Sequence, residues 1–122
     1  MSAPGVNWLA DRAAVTPHAL ALVADGAPVT YGELERRVQQ VTIHLTARRR
    51  RGMRLAVLLP NSAAYVDLIH AAARMGAILV PLNTRLTAPE LAFQLAKTTP
   101  ALLITDAAHR AVSSMHRVRS WT

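Results

Sequence analysis

A parallel-stranded α/β fold is what this sequence predicts, and three observations predict it. The runs LAVLL (55–59), AILVPL (77–82) and ALLIT (101–105) are apolar almost throughout. They lack the every-second-residue alternation of a half-exposed strand, which marks strands covered on both faces. Between them lie stretches of helical length opened by capping residues, the first of them closed by Gly76. The expected architecture is therefore a partial three-layer α/β unit, with parallel strands and right-handed crossover helices, preceded by a short helix and a hairpin.

The elements follow in order. In NWLADRAAV (7–15), Trp8, Leu9, Arg12 and Ala13 fall at helical spacing, and Pro17 forbids much continuation. ALALVA (19–24) and PVTY (28–31) flank Asp25-Gly26, a hairpin signal weakened by Pro28. Thr30 and Glu33 have capping-box spacing, with Val29 and Leu34 as the staple. Leu34, Val38, Val41 and Leu45 then form one apolar stripe on a helix expected to reach about residue 51, with Gly52 as its cap. After the 55–59 strand, a helix over 62–75 starts at Asn61 or Ser62 and stops at Gly76. Thr87-Ala88-Pro89-Glu90 is a second capping box, stapled by Leu86 and Leu91, and opens a helix to about Lys97. From Ala107 to Thr122 the reading stays open between a frayed helix and disorder.

Composition narrows the function classes. Of the 122 residues, 52% are hydrophobic but only 4% aromatic, so the core must be built from Ala, Leu, Val and Ile, and the composition argues against a disordered chain. The absence of cysteine removes disulfides, thiolate metal sites and a Cys nucleophile, and fits a cytoplasmic location. The first residues show neither a basic region nor an apolar core of a secretory signal, and no apolar run approaches the ~20 residues of a membrane span.

The net charge of +7 is local: Arg48 to Arg51 are consecutive, and Arg110, Arg117 and Arg119 crowd the acid-free last stretch. Cations in a last helical turn complement the helix dipole, and no aromatic residues interleave with the run, so a nucleic-acid partner is not expected. His18, His44, His70, His109 and His116 show no zinc-site spacing, and no metal site is expected. No G-x-G-x-x-G, G-x-x-x-x-G-K-[ST] or G-x-S-x-G occurs, so no phosphate loop or nucleophile elbow is encoded. Ligands of an open parallel sheet sit beyond the carboxyl ends of its strands, here Pro60-Asn61, Asn83-Thr84-Arg85 and Thr105-Asp106. Asn83 and Arg85 are the candidate substrate-binding residues. The alternative is a turn whose polar side chains satisfy backbone groups and orient the helix that follows.

NWLADRAAVTP, VTYGELERRV, the long segment from Ala56 to Leu95 containing LLPNSAAY and GAILVPLNTRLTAPEL, and LLITD occur in an order and spacing that resemble the start of AMP-forming acyl-CoA synthetases. This is the adenylate-forming superfamily. Within it, NWL followed by RA and TP, and LNTRLT before EL and FQL, look closest to the o-succinylbenzoate-CoA ligases of menaquinone biosynthesis. The resemblance covers residues 7–106, read as the incomplete N-terminal part of an AMP-binding domain. Residues 107–122 are left as a tail outside it.

The resemblance implies a two-step reaction, in which a carboxylic acid and ATP give an acyl-adenylate and pyrophosphate, and coenzyme A then displaces AMP. It implies ATP, magnesium and coenzyme A for the full-length enzyme. The family's Ser/Thr/Gly-rich loop ending in Pro-Lys and its catalytic lysine on a C-terminal domain are missing from these 122 residues, and Lys97 stands in an unrelated helix. For this chain alone, no cofactor and no catalytic residue are expected. It reads as a fragment, a truncated frame or a frameshifted product, inactive by itself. The rival is a binding module that pairs through an open sheet edge, and self-association through unpaired strands is expected.

Overall fold

The computed structural model of the chain describes residues 7–47, 52–109 and 119–121, which divide into two compact units. The first unit holds helix α1 (Trp8–Val15), strands β1 (Leu20–Ala24) and β2 (Ala27–Thr30), helix α2 (Tyr31–Thr46) and helix α3 (Ala63–Met75). The second holds strands β3 (Arg54–Leu58) and β4 (Ile78–Pro81), helix α4 (Ala88–Thr98), strand β5 (Leu102–Thr105), a 3₁₀ turn (Ala107–His109) and strand β6 (Arg119–Trp121). The chain thus leaves the second unit after β3 to form α3 and returns to it for β4.

In the first unit, β1 and β2 pair antiparallel around Asp25 and Gly26, whose φ values of 51° and 77° make a type I′ turn matching the strand twist. Pro28 sits opposite Val23 in this two-stranded ribbon, where one side of each strand needs no ladder bond. The Thr30 hydroxyl accepts from the Glu33 amide at 3.2 Å and starts α2. The reciprocal bond expected from the Glu33 side chain does not form. Thr30 still belongs to β2, in register with Leu20, while the next two amides, Tyr31 and Gly32, donate to the Ala19 and Pro17 carbonyls. Helix α2 ends at Thr46 with Ala47 as its cap, short of the expected residue 51, so Gly52 is not its cap. Arg48 to Arg51 lie outside the described residues. Leu34, Val38 and Leu45 are buried, as the stripe requires. Ser62 caps α3 by accepting from the Tyr65 amide, and Gly76 ends it at φ 68°, a conformation that costs glycine nothing.

The second unit is a four-stranded parallel sheet in the order β4-β3-β5-β6. The three expected strands are present, and β6 is a fourth that the sequence did not announce. Leu55 to Leu58 of β3 and all of β5 are buried, which explains their unbroken apolar character. Leu91 and Leu95 of α4 pack with Ala56, Leu58, Leu82 and Leu103 in one cluster. The Thr87 box that opens α4 is complete: Glu90 accepts from the Thr87 amide at 3.1 Å while the Thr87 hydroxyl accepts from the Glu90 amide. No described helix is long and apolar enough to cross a membrane.

Candidate functional site

The carboxyl ends of β4, β3 and β5 lie at one edge of the second unit, because the parallel register sets Val57 opposite Pro81 and Leu58 opposite Thr105. Asn83 and Arg85 follow β4 by two and four residues. The Asn83 side-chain oxygen accepts from the Arg85 amide at 2.8 Å, and its carbonyl accepts from the Leu86 amide at 3.2 Å. The carboxamide of Asn83 therefore shapes the turn that delivers Thr87 to its capping position. The Arg85 side chain is exposed beside it.

Beyond β5, Asp106 makes a contact that the sequence reading passed over. Its Oδ1 lies 2.6 Å from His109 Nδ1 and accepts from the His109 amide at 3.1 Å. The hydrogen bond with the imidazole holds the Asp106 carboxyl below its ordinary value. Thr105, fully buried, donates to the Asp106 carbonyl. The Asp-x-x-His spacing was the available signal. Asn61, Asn83, Arg85 and the Asp106–His109 pair thus follow the carboxyl ends of three neighbouring strands, at one end of the sheet. Among the described residues, no group of three or more His, Asp or Glu is placed to hold a metal ion.

The first unit carries a charge network between α2 and α3. Arg74 forks onto Glu35, Nη1 donating to Oε2 at 2.9 Å and Nη2 to Oε1, and Gln39 adds a bond to Oε2 at 3.0 Å. Burial acts to raise the Glu35 carboxyl, but the hydrogen bonds and charge of Arg74 outweigh it and leave it below its ordinary value. Elsewhere between the same two helices, Arg37 donates twice to Asp67 Oδ2, at 3.2 and 3.0 Å. Asp67 is only 4% exposed and its Oδ1 has no partner among the described residues, so burial dominates and raises its carboxyl despite Arg37. His70 stands among these charges. Burial and the Arg74 charge push it down, against the pull of Asp67 and Glu35. This network is a clamp between helices and was invisible in the sequence, where nothing links residue 35 to residue 74.

An open groove of about 690 Å³ lies in the same unit, walled by Trp8 and Val15 of α1, Leu22 of β1, Tyr31 of α2, and Val66 and His70 of α3.

Comparison with known proteins places the fold in context. The sequence pattern of the family described as AMP-binding enzyme matches residues 9–121. A feruloyl-CoA synthase of an Amycolatopsis species is 41% identical over 104 residues, which is 84% of this chain and 21% of that protein. The 2-succinylbenzoate–CoA ligase of Bacillus cereus is 40% identical over 101 residues, 82% of this chain and 21% of that protein. The solved structure of o-succinylbenzoate coenzyme A synthetase from Bacillus subtilis, in complex with ATP and magnesium ion, superposes with a TM-score of 0.86 at 34% identity, over 94% of this chain and 32% of that one. The chain spans about a fifth of the length of the curated relatives it matches.

Proposed function

Because the chain belongs to the AMP-binding enzyme family, we propose that residues 7–106 are the N-terminal part of the adenylate-forming domain of an acid–CoA ligase. The observation that carries this reading is the match of both sequence and fold over nearly the whole chain to synthetases whose names join an acid to coenzyme A. Feruloyl and succinylbenzoyl groups are both aryl-bearing, so the acid class is an aromatic carboxylate, with o-succinylbenzoate, of menaquinone biosynthesis, its first candidate. The location is cytoplasmic, where ATP and coenzyme A are at hand.

In the proposed reaction the carboxylate oxygen attacks the α-phosphorus of ATP and pyrophosphate leaves. The thiol of coenzyme A then attacks the acyl carbon and AMP leaves. Magnesium would supply charge neutralisation on the phosphates in the first step. The described residues offer no cluster of three or more His, Asp or Glu to hold it. What this chain contributes is placement. It builds the carboxyl edge of a parallel sheet where substrates of such folds sit, and there Arg85 offers a cation and Asn83 fixes the loop that carries it. Asn83 and Arg85 are accordingly the substrate-facing residues of the proposal. Phosphate positioning and transition-state charge stabilisation, the main sources of rate in such transfers, have no residues in this sequence. The isolated chain is therefore expected to release no pyrophosphate from ATP with o-succinylbenzoate or ferulate. Heat-sensitive release above a protein-free control would overturn that expectation.

A second reading, a non-catalytic interaction module, is favoured by one feature: β4 and β6 each have a strand on one side only among the described residues. An extended segment of another chain could add to either edge.

A further inference from the structure

Two buried polar atoms on helix α3 have no hydrogen-bond partner among the described residues, Asp67 Oδ1 and Arg74 Nε. They are of opposite kinds, since an ionised carboxylate only accepts and a guanidinium only donates. The two ion pairs leave them over. Arg37 meets Asp67 with Nε and Nη2 both on Oδ2, so Oδ1 takes no part. Arg74 meets Glu35 through Nη1 and Nη2, so Nε takes no part. A buried polar atom without a bond is costly, and a charged one more so, which is why folded chains rarely leave one unmatched.

His70 stands between them. It follows Asp67 by three residues and precedes Arg74 by four, the spacings that bring side chains together on one face of a helix. A neutral imidazole carries one N–H and one bare ring nitrogen, a donor for Oδ1 and an acceptor for Nε. The imidazolium carries two N–H groups and can accept nothing. The charged and titratable groups around the ring are Glu35 and Arg37 of α2 and Asp67 and Arg74 of α3, with Asp11 and Arg12 of α1 and Tyr31 of α2 on the groove that His70 also lines. Strand β1 gives that groove only Ala21 and Leu22.

We propose that neutral His70 joins the two ion pairs into one chain of hydrogen bonds, its N–H donating to Asp67 Oδ1 and its other nitrogen accepting from Arg74 Nε, and that a proton taken up by the ring loosens α3 from α2. In the present rotamer the ring makes neither bond, so the link requires it to turn about its side-chain torsions. Protonation keeps the bond to Asp67 and breaks the one from Arg74, leaving two cations face to face. Burial and the Arg74 charge hold His70 below its ordinary value, against Asp67 and Glu35. The folded chain therefore takes up this proton less readily than the unfolded one, and stability present above the ordinary imidazole value is lost as pH falls through it.

Ring-nitrogen chemical shifts of His70 in the full wild-type chain, assigned through the α3 backbone, test the link without any substitution. At about pH 8, above the ordinary imidazole value, they should show one fixed tautomer. A ring that averages between its two tautomers, as separate waters on the two orphaned atoms would leave it, overturns the proposal. Two variants test the release. His70→Gln keeps one donor and one acceptor but cannot titrate, whereas His70→Leu has neither. The urea midpoint of wild type should match that of His70→Gln at about pH 8 and fall below it by about pH 5.5, on the far side of the imidazole range. The leucine variant should lie below both at the alkaline end. Amide exchange in α3, corrected for its intrinsic pH dependence, should quicken about tenfold or more at the acid end in wild type and not in His70→Gln. A wild-type midpoint that tracks His70→Gln at every pH, or a leucine variant as stable as wild type at the alkaline end, also overturns it.

Discussion

At the scale of single residues, the Glu35–Arg74 fork is the interaction with most at stake. Both side chains are nearly buried, at 14% and 13% exposure, so removing one partner strands a charge rather than freeing it. Glu35→Gln is expected to cost about 3 kcal/mol at neutral pH. The sign of its pH dependence follows from the direction of the shift. A carboxyl held below its ordinary value contributes stability above that value and loses it as pH falls through the folded one, so the gap between wild type and Glu35→Gln should narrow as pH falls below the ordinary carboxylate range. Asp67 moves oppositely, being raised, and its contribution is lost as pH rises, but it is present in both proteins and cancels in the difference. Urea unfolding at several pH values measures this. A gap that does not narrow as the pH is lowered would contradict the role given to Glu35. None of this network was legible in the sequence, because long-range ion pairs leave no local spacing to read.

At the scale of elements, local chemistry was legible where it acts within a few residues. Ser62 and Gly76 bound α3 as their types require, and Asp25-Gly26 makes the expected hairpin turn. The Thr87 box is complete, and Thr87→Ala should lower stability by roughly 0.5–2 kcal/mol, seen as an earlier unfolding midpoint. A midpoint that does not move would mean that the cap adds nothing to α4. The Thr30 box shows the limit of the same reasoning. Its hydroxyl bond forms, but the amide that Glu33 was to satisfy belongs to a strand that the spacing alone did not weigh. Likewise the run from Leu34 to Leu45 fixed the face of α2 but not its end, since the residues expected to extend it carry no apolar period. Strand β6 has no apolar run to announce it, only three residues that pair beside β5.

At the scale of the whole molecule, the parallel sheet was readable because buried strands are apolar on both faces, whereas the placement of Asn83, Arg85 and the Asp106–His109 pair at one end of the sheet needed the register to be seen. Large apolar side chains stand exposed on both units, among them Trp8 and Val23 in one and Ile78 and Phe93 in the other. The isolated chain should therefore bind a hydrophobic dye, and should associate with rising concentration through the edges of β4 and β6. A monodisperse, dye-silent protein with one sharp thermal transition would contradict this and favour a self-contained module. The central claim, that this chain is a working N-terminal part of an aryl acid–CoA ligase, is met most directly by one measurement. Residues 7–106 are exchanged for the matching segment of the Bacillus subtilis synthetase, and acid-dependent pyrophosphate release is followed with o-succinylbenzoate and ferulate. A folded chimera is expected to release pyrophosphate with at least one of these acids and to lose rate when Arg85 is changed to Ala. A folded chimera that releases none with either acid, while the parent synthetase does so with its own, would contradict it.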